Sequence, residues 1–127
     1  WIACMKRRGA DPLGNAYNVA VVSDAREYAV RFLQELQVRW NGENVVERMV
    51  RKMAAEAERH YAVTASSLVA MRQLFPFPQG GQPDDPADAD RAAELLHTAK
   101  AAEERGVEVL ERLLDFMKAY WSETWIN

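Results

Sequence analysis

The chain has 127 residues, of which 49% are apolar and 28% are charged, and its formal net charge is −3. This length and composition indicate one globular domain and exclude a wholly disordered chain, and no apolar run reaches the roughly 18 residues of a membrane-spanning helix. Cys4 is the single cysteine, which excludes an internal disulfide framework or a cysteine-rich zinc site and weakly favours a reducing intracellular compartment.

The N-terminal segment, residues 1–22, is predicted to be an irregular arm. It begins without a methionine, and a short apolar stub precedes three basic residues at positions 6–8. The stub is either the cytoplasmic end of a removed membrane segment or, as we prefer, a disordered leader with a small basic cluster. Asp11-Pro12 is a signal for a helix start, but a glycine and two asparagines soon follow. The pattern therefore leaves residues 12–22 undecided.

The first long helix is predicted over residues 23–40. Ser23 is a suitable N-cap, because its hydroxyl can accept hydrogen bonds from the free amides of the first turn. Asn41-Gly42 is suited to end the helix in the left-handed conformation. The residues expected to form one buried face at helical spacing are Val22, Ala25, Ala29, Phe32, Leu36 and Trp40.

The second helix is predicted over residues 44–75. Asn44 and Glu47 have the spacing of a capping box, and no proline or glycine interrupts the sequence from there until Pro76. The following loop, residues 76–85, is rich in proline and glycine, so a helix cannot continue through it.

A third helix is predicted over residues 86–121, with acidic residues near its positive end. We therefore expect an all-α fold, a single helical domain over residues 1–127 in which a three-helix bundle is built on a long antiparallel hairpin of the second and third helices. Residues 84–127 contain eleven acidic and five basic side chains, a net charge of −6. This charge argues against nucleic-acid binding, which requires clustered Lys and Arg, and suits a solvated face or a basic partner.

A group of polar side chains interrupts the apolar stripe of the second helix. At about 100° per residue, Thr64 lies within the stripe and His60 lies beside it. Folding the hairpin places Ala99 and Gly106 nearby, where small residues permit close helix contact or leave space for a side chain or a water. We call these four residues the polar waist. Its polar groups are expected to bond to backbone, water or a tyrosine; the alternative is a ligand-binding pocket formed by His60, Thr64, Ala99 and Gly106.

Metal binding and catalysis are not predicted. Glu94 and His97 match the Glu-x-x-His spacing of di-iron helical bundles, but helical geometry turns both away from the apolar stripe of the third helix, so they do not converge with His60. The sequence also lacks a phosphate-binding glycine loop, a nucleophile elbow and a Cys–His pair at a suitable spacing. We therefore expect no metal, no cofactor and no catalytic residue.

Aromatic residues are concentrated at the C-terminus, where Phe116, Tyr120, Trp121 and Trp125 fall within the last twelve residues. Large rings that carry a polar atom are enriched in protein interfaces. These four side chains are expected either to form an interface or to cap the end of the bundle against Trp1 and the end of the first helix.

The junction of the first two helices carries Trp40, Asn41 and Gly42, and in this it resembles the small secreted WXG100 proteins, which are helical hairpins with a Trp-x-Gly turn. The resemblance covers this turn and the helix lengths. The chain departs from that family in having a third long helix. It also carries Thr124, not an acidic residue, four positions after Tyr120, where the family's export signal requires one.

Two functions agree with these features. The first is a non-catalytic interaction protein, a subunit or adaptor whose amphipathic helices and aromatic C-terminus dock onto a protein partner or a second copy of the chain. The second is a small-molecule-binding or sensory domain with its pocket at the polar waist.

Overall fold

The protein is all-α, as predicted. A computed structural model describes residues 1–126, with side chains described for residues 1–120. Within that range there are helices and loops but no strands. The helices are α1 (Ile2–Lys6), α2 (Pro12–Arg39), α3 (Val45–Leu74) and α4 (Pro86–Ile126).

The predicted boundary between the irregular arm and the first long helix, at residue 23, is wrong, because α2 begins at Pro12 and includes residues 12–22, which the pattern left undecided. The Asp11 carboxylate accepts a hydrogen bond from the Gly14 amide at 2.8 Å and so caps the helix. Asn15, whose helix propensity is low, is buried and accepts a hydrogen bond from the Trp1 indole at 2.9 Å. A cap and a tertiary contact together outweigh the weak local propensity.

The prediction that Ser23 is an N-cap is also wrong, since Ser23 lies in the middle of α2. Its hydroxyl donates to the Ala20 carbonyl at 3.1 Å and accepts from the Arg72 guanidinium at 3.2 Å. Arg72, on α3, also donates to Glu27 at 3.3 Å. Ser23 therefore helps to join α2 to α3.

The predicted disordered leader is also wrong in part, because residues 2–6 form the short helix α1. Met5 is fully buried, within a core cluster that also contains Leu68 and Leu96. α1 packs against α4, so burial of apolar surface holds this segment in place.

The hairpin of α3 and α4 is confirmed, with its ends close to those predicted. The Asn44 side chain accepts from the Glu47 amide at 2.8 Å, which starts α3. Asp85 accepts from the Asp88 amide at 3.0 Å, which starts α4. α4 then continues to Ile126, past the predicted end at residue 121.

α3 is the central helix of the bundle. It packs against α2 on one side and against α4 on the other, whereas the Cα atoms of α2 and α4 stay more than 8 Å apart throughout the described chain. Two core clusters result. One lies near the α3–α4 loop and contains Val19, Leu68, Met71, Phe75 and Leu96; the other contains Leu33, Val50, Met53, Tyr61, Val109 and Leu113.

The buried face of α2 differs from the predicted one. Leu33 is 2% exposed and belongs to the core, whereas its neighbour Phe32 is 61% exposed. Ala25 is exposed as well, while Ala29, Leu36 and other members of the predicted face are partly buried. The prediction that Phe32 is buried is wrong, because α2 carries apolar residues on two sides and the periodicity does not show which side packs against α3.

Two loops fix α2 against the rest of the bundle. The Arg51 guanidinium donates to the carbonyls of Trp40 and Gly42 at 2.7 and 2.6 Å, which ties the α2–α3 turn to α3. Gly42 does not use the left-handed conformation; Gly80 does, with φ of 85°. An atom placed at the Cβ position of Gly80 would lie 2.5 Å from the Pro12 carbonyl oxygen, so the α3–α4 loop approaches the start of α2 closely.

Candidate functional site

Thr64 and Ala99 meet at the waist of the hairpin. The Thr64 hydroxyl lies 3.2 Å from the Ala99 carbonyl oxygen and 3.3 Å from the carbonyl oxygen of His60, one turn earlier in α3. Thr64 is 2% exposed, and these two acceptors satisfy its hydroxyl without a ligand. This arrangement agrees with the interpretation of the waist as a hydrogen-bonded packing contact.

His60 and Gly106 form a separate contact of close packing. A Cβ atom at Gly106 would lie 2.7 Å from Cε2 of the Tyr61 ring and 3.4 Å from Cβ of His60. The missing side chain at Gly106 therefore makes room for Tyr61. Of the four predicted ligand-binding residues, Thr64 and Ala99 line a cleft, while His60 and Gly106 do not.

The cleft occupies about 580 Å³ between α2 and α4, which do not pack on each other. Its floor is formed by α3 and one end is covered by the N-terminal residues of the chain. The apolar part of its lining comes from all four helices. The lining residues are Trp1, Ile2, Ala3, Val22, Arg26, Thr64, Leu68, Leu96, Ala99, Lys100 and Glu103.

An ion pair crosses the cleft between the two outer helices. Arg26 Nε on α2 donates to the Glu103 carboxylate on α4. This hydrogen bond raises the pKa of the Arg26 guanidinium above its ordinary value, and desolvation opposes the shift. Burial raises the pKa of the nearby Tyr61 phenol, the charge of Glu103 adds to that shift, and Arg26 opposes it. Arg26 and Glu103 lie 77 positions apart, and no local pattern predicts that they pair.

A second cavity, of about 460 Å³, lies beside the first one near the start of α2. Trp1 and Val22 line both cavities. The Trp1 indole N–H can only donate a hydrogen bond, so the Asn15 side-chain oxygen, and not its nitrogen, must face Trp1. The Asn15 Nδ2 group is buried and has no hydrogen-bond partner among the described residues.

The two residues of the Glu-x-x-His pattern point away from the bundle interior. Glu94 and His97 are exposed, and Glu94 pairs with Arg91 at 3.3 Å. Glu56, one turn before His60, pairs instead with Arg112 at 3.1 Å. Among the residues that the structure describes, no group of three or more His, Cys, Asp or Glu side chains is arranged to hold a metal ion.

The C-terminal aromatic residues are only partly described. Phe116 is half-buried against the core cluster that contains Leu113, and Tyr120 is exposed. The side chains of Trp121 and Trp125 lie outside the described residues. An interface at these four residues stays a prediction.

Sequence reasoning missed an exposed apolar surface along α2. We call it the outer stripe, and its six members are between 48 and 71% exposed. At about 100° per residue they fall within an arc of about 120°, opposite the side that packs on α3. Spacings of four and seven residues were the available signal. The outer stripe consists of Leu13, Tyr17, Val21, Tyr28, Phe32 and Val38.

Comparison with known proteins gives no further guide to this surface or to the cleft. No family model matches the chain, and no curated protein or solved structure is detectably similar to it. None of the helices within residues 1–126 is both long and apolar enough to cross a bilayer.

Proposed function

We propose that the protein is a non-catalytic interaction protein, a subunit or adaptor that docks onto a protein partner or a second copy of itself. The observation that carries the proposal is the outer stripe of α2. Isolated exposed apolar residues are common on protein surfaces, whereas several large ones on one helix face indicate an interaction site. Asp24, Arg31 and Glu35 are exposed within the same arc, so the outer stripe combines apolar and charged side chains. The aromatic C-terminus is a second part of the docking surface in this proposal.

The composition of the outer stripe supports this role. Tyr17, Tyr28 and Phe32 supply rings of the kind that are enriched in interfaces. The Arg31 guanidinium lies 4.5 Å from the centre of the Tyr28 ring. This cation covers part of the ring, and Tyr28 is still 64% exposed. Tyr17 also contacts Phe77 edge to face, with ring centres 6.1 Å apart, and this extends the apolar surface onto the α3–α4 loop.

The dimensions of the outer stripe favour a partner that contacts the exposed face of α2 and both of its flanks. Twenty-five residue steps of helix span about 38 Å, and a helix presents a face about 10 Å wide. The resulting area, on the order of 400 Å², is about half of what one partner contributes to a standard interface. An apolar groove that receives α2 would supply the remainder by covering its flanks.

Site-specific photo-crosslinking tests this proposal. A photoreactive residue replaces Tyr28 in one variant and the exposed Glu104 of α4 in a matched control. We expect crosslinks to a partner or a second copy from position 28 only. Sedimentation of the unmodified chain at micromolar concentration distinguishes self-association from binding to another protein. A monomer with no crosslink from position 28 would contradict the proposal.

A second candidate function, the binding of a small molecule, is supported by the cleft. Its volume of about 580 Å³ lies within the roughly 300–1,000 Å³ that is usual for small-molecule sites. Apolar walls with a few charged groups are also typical of such sites. A rise in melting temperature on adding a ligand, by mass action, tests this function.

A further inference from the structure

We infer that the cleft takes a monoanionic amphiphile, a molecule with an apolar body and one terminal carboxylate. The inference rests on the second candidate function, small-molecule binding, and names its ligand class. It is argued from the floor, the walls and the charged groups of the cleft.

The floor and walls of the cleft suit an apolar body. Val22, Leu68 and Leu96 contribute branched aliphatic side chains to its lining. Thr64 is the polar group of the floor, but its hydroxyl already faces the carbonyl oxygens of Ala99 and His60. A polar ligand group placed there would lose water and gain little. The apolar part of a ligand is therefore expected at the floor, and its polar end at the charged groups.

The charged groups of the cleft sum to +1. Arg26 and Lys100 are positive and Glu103 is negative. The Glu103 carboxylate accepts a hydrogen bond from Arg26 Nε. The two terminal nitrogens of the Arg26 guanidinium have no hydrogen bond to any other residue of the described chain. Lys100 has no carboxylate within 4.0 Å among the described residues. Donors and positive charge thus remain for one carboxylate, which can accept two parallel hydrogen bonds from a guanidinium.

Titration calorimetry with octanoate and 1-octanol tests the inference on the whole chain. We expect octanoate to bind more tightly than 1-octanol, which has the same chain length without the charge. Extending the series from hexanoate to decanoate should lower Kd by about fourfold per added methylene while the chain still enters the cleft.

A matched pair of variants assigns the binding to this cleft. Lys100→Glu reverses an exposed charge of the lining, and Lys52→Glu makes the same change on α3 away from it. We expect Lys100→Glu to weaken octanoate binding by about threefold or more, and Lys52→Glu to leave it unchanged. Melting curves check that both variants stay folded.

The possible failures are distinguishable. If 1-octanol binds as tightly as octanoate, small-molecule binding stands and the anionic ligand class is overturned. If neither molecule binds, the inference and the second candidate function both fail. If the two lysine variants weaken octanoate binding equally, the carboxylate is not held at this cleft, which also overturns the inference.

Discussion

The Thr64 hydroxyl of α3 lies 3.2 Å from the Ala99 carbonyl oxygen of α4, between the two core clusters of the bundle. This contact requires close approach of the two helices. Ala57, Ala65 and Ala102 are small and buried on the surrounding turns, which permits that approach. The polar residue in the apolar stripe of α3 thus has a structural explanation that needs no ligand.

Thr64→Val should lower the free energy of unfolding by about 1 kcal/mol. The substitution keeps the shape of the side chain and removes one buried hydroxyl that bonds across the hairpin. Chemical denaturation measures the change. Ser66→Ala is the control, because Ser66 is exposed and bonds only within its own helix, to the Val63 carbonyl at 3.1 Å; it should stay within about 0.5 kcal/mol. If Thr64→Val is as stable as the unaltered chain, the hydrogen bond between Thr64 and the Ala99 carbonyl does not stabilise the fold.

Gly80→Ala should destabilise the protein by about 2 kcal/mol or more. Gly80 is in the left-handed region, which is unfavourable for alanine, and the new Cβ would meet the Pro12 carbonyl oxygen. Gly9→Ala is the matched control, because nothing lies within 4 Å of its Cβ position. We expect Gly9→Ala to be neutral or slightly stabilising. Thermal melting compares the two, and a similar effect of both would show that the loop does not fix the start of α2.

Leu33→Ala and Phe32→Ala should have very different effects although the residues are neighbours. Leu33 is buried in the core, so its truncation should cost about 2–5 kcal/mol. Phe32 belongs to the outer stripe, so its truncation should change the stability of the free chain by about 0.5 kcal/mol or less. Denaturation of both variants below any association concentration measures this. The opposite order would mean that α2 is rotated from the orientation described.

Tyr61 should make stability depend on alkaline pH. Its phenol pKa is raised above the ordinary value of 10.0, mainly by burial. The unfolded chain therefore releases this proton first as pH rises above about 10, and the free energy of unfolding falls until the folded protein also ionises. Below about pH 10 the contribution of Tyr61 to the free energy of unfolding is fully present.

Tyr61→Phe should flatten this alkaline decline, measured by denaturation at about pH 8 and about pH 11. Tyr28→Phe, at an exposed tyrosine, is the control and should leave the decline in place. Absorbance of tyrosinate gives an independent measurement, since ionisation of the Tyr61 phenol should be delayed in the folded chain. A decline that is unchanged in Tyr61→Phe would exclude this residue as its source.

The hairpin could be predicted because its signals are local. Asn44 and Asp85 cap helices through residues three positions away, and the proline-rich loop interrupts any helix. The apolar stripe of α3 has one side, so its periodicity correctly placed Thr64 within the buried face and His60 beside it. These features need no knowledge of the partner helix.

The features of α2 could not be predicted in the same way. Its start has a local cap at Asp11, but Asn15 in its first turn is held by Trp1, which is a tertiary contact. Leu33 and Phe32 lie on two apolar sides of the helix, and the periodicity alone does not decide which of them enters the core. The cleft lies between α2 and α4, which both pack on α3 and not on each other, and Arg26 pairs with Glu103 across it. The spacing of residues along the chain does not show how far apart two helices lie when both pack on a third.

The central position of α3 has a consequence for how the molecule opens. α2 packs on α3 alone, whereas α4 packs on both α3 and α1, so α2 can detach while α3 and α4 remain packed together. Amide hydrogens of α2 should then exchange with solvent through a partial opening, while those in the middle of α3 wait for complete unfolding. The helix that carries the outer stripe would thus be the one that is released most readily, and a bound partner would slow its exchange.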